Sequence, residues 1–462
     1  MHRPSTFRQL VIALLTAAAL LLSPVTPGAR PQNTRVRVIQ APSSSRELSD
    51  VRLSVFDDVW RTINERYYDR DFNGADWEAL GTASRPLAAG PHSTQAELYE
   101  VLRRMIGQLR DPHTRVYAPD ERTDWHRPRY LSVGVRVREI DGELIVATVE
   151  RGSEAERAGV RAADAVVSID GEAASSVLAR RLAMHQERRH VGQQINRRLD
   201  QSDAPAASTS ARVAAVARLF DGPRDSLAAV TFEDHDAHRR RTVRLRRVLR
   251  EHAPSLGVRR VDGFGVVELT AFTPEVAAGF ARVLRGRLRN VRGIVLDLRD
   301  NGGGEAEAMV DVASFFLPAG RDLGRFINRD GRTHLDARTR AAMLSAADAI
   351  TPFRGPLIIL TGPRTASAAE VFAAAMKEQA RASIVGEPTC GCVLGVRRRH
   401  TLPDGGVLEV SEADYRTARG VRLEGSGITP DEAVTPTLRD ISTGHDRVLQ
   451  RAVKMLKAMI KN

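Results

Sequence analysis

The stretch that most restricts what this chain can become runs from Pro356 to Thr389, PLIILTGPRTASAAEVFAAAMKEQARASIVGEPT. Pro356 to Leu360 has the apolar run of a short buried strand, and Thr361, Gly362 and Pro363 break it. Ala366 to Ala382 then carries strong helix formers with apolar residues at helical spacing. Ser367 therefore falls where a strand-fed turn becomes a helix, beside backbone N–H groups that lack intrahelical partners. That setting suits a nucleophile, because the same helix terminus stabilises a developing oxyanion. It equally suits a plain helix cap, since Ser367-x-x-Glu370 fits a capping box.

The 462 residues allow two or three domains, each with enough apolar content for a core. Net charge is +12, carried almost wholly by arginine; the four lysines are Lys377, Lys454, Lys457 and Lys461. The arginines are scattered among acids and aromatics make up only 5%, so no nucleic-acid stacking platform is indicated. Cys390 and Cys392 are the two cysteines. They provide no disulfide framework and, without neighbouring histidines, only a weak metal site, so they read as loop residues.

Arg3 and Arg8 precede the uncharged run Leu10–Leu22, followed by SPVTPGARPQ, the pattern of a secretory signal ending near Ala29. An uncleaved anchor is the alternative reading. The expected mature protein is exported, periplasmic or extracellular, with no stable membrane span. Residues 30–47 read as a linker, and 48–127 as a helical N-terminal domain in which Val55, Val59, Ile63 and Tyr67 share one face. A second helix, Gln95–Leu109, leads into the turn Asp111-Pro112-His113-Thr114.

Residues 128–250 change to short alternating strands with turns at Asp141-Gly142 and Asp170-Gly171. They contain a basic, partly low-complexity insertion at about 182–218, whose centre, DAPAASTS, is expected to be mobile. From 255 to 440 strands alternate with helices, which implies a mainly parallel sheet with its ligand site at the carboxyl ends of the strands. One strand, GIVLDLRDNGGG, runs into a glycine loop, and residues 441–462 close the chain with an amphipathic helix.

Four pieces converge: DPHT at 111–114, LDLRDNGGG at 296–304, TASAAE at 365–370, and the pair GEPTCG at 386–391 with EGSGITPD at 424–431. In this order they resemble the C-terminal processing peptidase (tail-specific protease) family. Residues 128–172 resemble a PDZ domain at LSVGV, at S-x-A-x-x-A-G and at D-x-V-x-x-I-D-G, with an alanine in ADAV where that family usually has glycine. The resemblance implies an α/β multidomain protein. Its parts would be the helical N-terminal domain, a PDZ-like β domain with an insertion, and an α/β protease core of the ββα-superhelix, crotonase-like kind.

The implied activity is an exported serine endopeptidase acting on unfolded or C-terminally presented polypeptides, with no metal or nucleotide cofactor, no nucleic acid, and oligomers open. Leu131, Val133, Gly134 and Val135 would bind the substrate terminus by strand addition. Many members are Ser–Lys enzymes with the lysine in T-x-G-K-G, but here Thr389-Cys390-Gly391-Cys392-Val393 puts Cys392 at that place. The tricorn-like branch supplies the alternative: Ser367 as nucleophile, His113 as base and Glu424 as its orienting acid, in direct contact or through a relay. Pro112 stands where that branch has a polar residue before the histidine. The N–H groups of Gly303 and Ala368 would form the oxyanion hole. A catalytically inactive peptide-binding scaffold of the same fold is the reading from a different class, motivated by the missing lysine.

Overall fold

A computed structural model describes residues 45–461, apart from 89, 91–93, 122–128, 194–208, 252 and 346–347. The signal and most of the linker lie outside the described residues. Among the described residues, no helix is long and apolar enough to cross a membrane.

The α/β core is a six-stranded sheet in the order Leu256–Val261, Phe264–Leu269, Ile294–Asp297, Leu357–Thr361, Ser383–Gly386, Glu432–Ala433. The first pair is antiparallel and the remaining pairings are parallel. Ile294–Asp297 and Leu357–Thr361 are buried along their whole length, because helices cover both faces of the sheet. One face packs under Pro274–Arg285, Ala306–Ser314 and Ala368–Glu378 through Phe280, Val312 and Phe372. The other receives the C-terminal helix Arg447–Lys461 through Val448, Ala452 and Leu456, so this helix belongs to the core.

The N-terminal helical region does not close its own core. The helix Ser45–Arg66 begins inside the expected linker and buries Val55, Val59 and Ile63, with Tyr67 just beyond its end. These side chains share one cluster with Leu394, Leu402, Leu408 and Val410 from far along the sequence. The strand Arg115–Tyr117 pairs antiparallel with residues 407–409 of the strand Val407–Arg416. The turn bearing His113 is thereby fastened to the segment leading to Glu424.

The smaller β domain has the sheet order Val135–Ile140, Glu143–Val149, Ala165–Ile169, Leu227–Glu233, Arg240–Arg246. Ala163, the alanine of ADAV, takes φ +76°, a left-handed conformation that favours the glycine expected there. The stretch read as a mobile insertion is helical at both ends. Ala174–Gln193 runs on through its start, and Thr209–Ala217 buries Ala215 beside Leu219 and Phe220. Residues 203–208 of DAPAASTS lie outside the described residues.

Candidate active site

Ser367 sits on a strained elbow. The strand Leu357–Thr361 ends in a turn whose Thr365 Oγ1 donates to the Leu298 carbonyl at 2.7 Å and accepts the Gly362 N–H at 3.0 Å. The Ala366 N–H donates to the Asn301 carbonyl at 3.0 Å, which binds the turn to the neighbouring glycine loop. Held from both sides, Ser367 adopts φ +54° and ψ −125° immediately before the helix Ala368–Glu378. A non-glycine residue takes this conformation only when its surroundings impose it, at about 1–3 kcal/mol.

The capping reading and the elbow coexist. Glu370 reaches back to accept the Ser367 N–H at 3.1 Å, and that N–H also donates to the Cys392 carbonyl at 2.8 Å. Glu370 itself is fully buried and accepts from Thr389 Oγ1 at 2.5 Å, Gly391 N–H at 2.7 Å and Cys392 N–H at 2.9 Å. Burial holds its carboxyl above the usual value although these donors pull it down. The sequence marked Glu370 only as half of a capping box; its sequence spacing carries no sign of three further donors from a loop about twenty residues on.

That loop is where the cysteines lie, and here the expectation of two plain loop residues is corrected. Cys390 and Cys392 are joined as a disulfide across Gly391, whose φ of +71° turns the chain back on itself. A Cβ on Gly391 would stand 2.9 Å from the Gly427 nitrogen, so only glycine fits between this loop and the one carrying Glu424. Lysine chemistry is absent from the elbow: Lys377 donates to the Thr429 carbonyl at 2.9 Å and pairs with Asp431 at 2.8 Å.

Gly303 packs directly behind Ser367. A Cβ at Gly303 would stand 2.6 Å from the Ser367 Cβ and 3.0 Å from the Ala368 nitrogen. Its N–H, however, donates to Asn301 Oδ1 at 2.8 Å, so the Gly303 half of the expected oxyanion hole is engaged in this arrangement. Asn301 is fully buried and also donates from Nδ2 to the Leu269 carbonyl at 2.9 Å, making it the hub of the glycine loop. Ala368 is the first residue of the helix, where the N–H has no intrahelical acceptor.

Glu424 lies on the other side of the cysteine loop, where His113 reaches it through charge rather than by a hydrogen bond. Glu424 Oε2 accepts the Val393 N–H at 2.7 Å, one residue beyond the carbonyl that holds Ser367. Burial lifts its carboxyl to about 7; the Val393 bond and the charge of His113 pull it down, while Asp111 and Glu370 push it up. Because the folded chain holds this proton more tightly than the unfolded one, stability is full below the usual value of 4.5 and declines as pH rises toward about 7. Glu424→Gln keeps an acceptor for Val393 and removes the titration. It is expected to flatten that decline, by about 1–3 kcal/mol between pH 5 and pH 8 in urea unfolding. An unchanged pH dependence in the variant would show that Glu424 is not the group responsible.

The smaller β domain reaches the same loops. Arg136 pairs at 3.3 Å with Asp300, which Arg364 of the elbow turn also grips, and Arg138 pairs with Glu387 at 2.8 Å. Of the expected terminus-binding residues, Val133 and Val135 are buried. Gly134 takes φ +89° and donates its N–H to Ser132 Oγ at 2.9 Å, and Leu131 pairs with Leu249. Val135–Ile140 is the edge strand of its sheet.

A strained strand-to-helix elbow carrying a serine and backed by a glycine loop is the arrangement of a serine hydrolase, while among the described contacts His113 lies against Asp111 and Glu424 bonds Val393, neither of them hydrogen-bonded to Ser367. Residues 263–434 match peptidase family S41, and residues 50–107 match the tricorn protease C1 domain. The chain is 28% identical over 390 residues to the chloroplastic C-terminal processing peptidase of Tetradesmus obliquus, covering 83% of this chain and 77% of the relative. It is 26% identical to the carboxyl-terminal-processing protease of Picosynechococcus sp., covering 81% of each. Among solved structures, the photosystem II D1 C-terminal processing protease matches at TM-score 0.52 and 26% identity, over 86% of this chain and 99% of that one. Mature CPAF shares the fold at TM-score 0.62 and 14% identity, over 90% of this chain and 98% of that one. The protein is a serine peptidase that carries a peptidase S41 domain and is similar to the carboxyl-terminal-processing proteases.

Proposed function

We propose that this peptidase hydrolyses unfolded or C-terminally presented polypeptides with Ser367 as nucleophile and His113 as base. Glu424 is the acid that supports the imidazolium once ionised, and the protein is exported. The observation that carries this reading is the strained Ser367 elbow in a molecule whose described lysines are all committed elsewhere or lie on the C-terminal helix. With no ammonium at the serine, the remaining base within the convergent loops is His113, tied to Glu424 by charge.

His113 takes the Ser367 proton as Oγ attacks the scissile carbonyl, and returns it to the leaving amine as the acyl-enzyme forms. The Ala368 N–H faces the developing oxyanion. Gly303 N–H joins it once released from Asn301, a small peptide rotation in a loop where two successive glycines take positive φ. The smaller β domain acts as a PDZ module. It receives a substrate C-terminus at Leu131, Val133, Gly134 and Val135, along the edge strand, and delivers it through the Arg136 and Arg138 contacts. The Ser132 bond of Gly134 yields to the incoming carboxylate.

Cleavage of casein and of a C-terminally tagged peptide by wild type and His113→Ala tests the assignment. His113→Ala is expected to lose about 10³-fold or more in kcat/KM, with the fluorophosphonate reaction at Ser367 slowed in parallel. Full activity in His113→Ala would end the His113 assignment.

A further inference from the structure

His113 carries a second carboxylate neighbour that its assignment as base leaves unexplained. Asp111 is buried, its side chain wholly so, and lies two residues before the histidine. Its Oδ2 accepts the Thr114 hydroxyl at 2.5 Å, while Thr114 Oγ1 in turn accepts the Ser411 N–H at 3.0 Å. That chain fixes Oδ2 against the strand Val407–Arg416. Oδ1 accepts the His113 backbone N–H at 2.8 Å and stands 3.7 Å from the ring Nδ1.

Two polar atoms in this cluster are buried without a hydrogen bond, His113 Nδ1 and Ser411 Oγ. An orphaned ring nitrogen is unfavourable unless a partner waits nearby, and the near one is Asp111 Oδ1. A small rotation of the ring closes 3.7 Å to hydrogen-bond length, as catalytic contacts do on substrate binding. Glu424 is differently placed, since its hydrogen-bond contact is with Val393 and it reaches His113 through charge.

We infer, resting on His113 as the base, that Asp111 is its positioning residue. Asp111 Oδ1 takes the Nδ1–H of the neutral imidazole and leaves the Nε2 lone pair to receive the Ser367 proton. Burial pushes the Asp111 carboxyl up, but the polar groups and charge of His113, with the nearby Ser411 and Thr114 side chains, outweigh it and keep it below the usual carboxylate value. Asp111 is thus ionised where Glu424 is still taking up protons. The charged groups of this cluster include Asp111 on its own loop, Glu424 on the facing one, Asp69 beyond the first helix, and Arg422, which donates to Tyr68 Oη at 3.3 Å. Tyr67 and Tyr68, from the end of the first helix, stand near both carboxylates.

A purely structural Asp111 would only close the turn through the His113 N–H, and asparagine does that equally well. Asp111→Asn keeps an Oδ1 acceptor, and its Nδ2 still reaches Thr114 Oγ1. It loses the anion, and with it the charge that strengthens the Nδ1–H bond and stabilises the imidazolium. The expected result is a fall in kcat/KM of about 10²–10⁴-fold at unchanged thermal midpoint. The acid limb of kcat/KM should also move to lower pH, because removing an anion beside the imidazole disfavours its protonated form.

Activity within about threefold of wild type and an unmoved limb would reduce Asp111 to a turn residue. For the case in which the variant fails to fold, ¹⁵N-histidine spectra of the wild-type protein read the tautomer directly, with the His113 signal assigned by its loss in His113→Asn. A Nδ1–H tautomer supports the inference, and a Nε2–H tautomer overturns it. Retained activity in His113→Ala would instead remove the base itself, and with it the need for a positioning residue.

Discussion

Ser367→Ala is expected to abolish peptide hydrolysis, lowering kcat/KM by about 10⁴-fold or more, and to eliminate labelling by a fluorophosphonate. The same position makes a second, independent forecast about stability. Ser367 holds φ +54° and ψ −125° because the turn is clamped through Thr365 and Ala366 and the helix starts one residue later. Alanine inherits that strain, whereas glycine does not. Ser367→Gly should therefore be as inactive as Ser367→Ala yet more stable than it by about 1 kcal/mol, even though glycine is the more flexible residue when unfolded. Chemical denaturation of the two variants decides the matter. A glycine variant less stable than the alanine variant would mean the elbow stores no strain, and its shape would need another explanation.

Much of this elbow is legible in the sequence, because it depends on contiguous residues. PLIIL, the Thr361-Gly362-Pro363 break and the alanine-rich run dictate strand, turn and helix in that order, and the structure places Leu357–Thr361 and Ala368–Glu378 accordingly. The α/β alternation after residue 255 is legible for the same reason. What escapes is whatever depends on distant segments meeting. The first helices look like a self-contained domain, since periodicity reports which face is buried but not against what. Their core is in fact shared with Leu402, Leu408 and Val410. The helix Thr209–Ala217 was hidden by its small, low-complexity neighbours, although Ala215 is fully buried. NGGG was legible as a glycine loop at a strand end, but neither the close approach of Gly303 to Ser367 nor the hold of Asn301 on the Gly303 N–H could be read from it. Cys390-Gly391-Cys392 is too short a spacing to read as a framework, and its bridge depends on the turn at Gly391.

Glu370 is the residue whose loss should damage the site most without touching substrate. Its two carboxylate oxygens receive the Ser367 N–H, the Thr389 hydroxyl and the N–H groups of Gly391 and Cys392, so four donors and no other acceptor converge on one buried group. Thr389 passes the restraint on by accepting the Ile428 N–H at 2.7 Å, which locks the Glu424 loop to the same point. Glutamine matches the shape of this side chain but replaces one acceptor oxygen with an NH₂ that must face donors. At least one backbone N–H is then left unpaired in a buried site, and hydrogen bonds to a charged group, worth about 1.5–3 kcal/mol each, become weaker neutral ones. Glu370→Gln is accordingly expected to lower unfolding free energy by about 3 kcal/mol and kcat/KM by about 10²-fold, with fluorophosphonate labelling of Ser367 slowed in proportion. Ser367→Ala should leave stability nearly intact while removing all activity, so the two variants separate the nucleophile from the frame that holds it. A Glu370→Gln protein with wild-type denaturation midpoint and wild-type labelling rate would show that the cysteine loop and the elbow are held together by something other than this carboxylate.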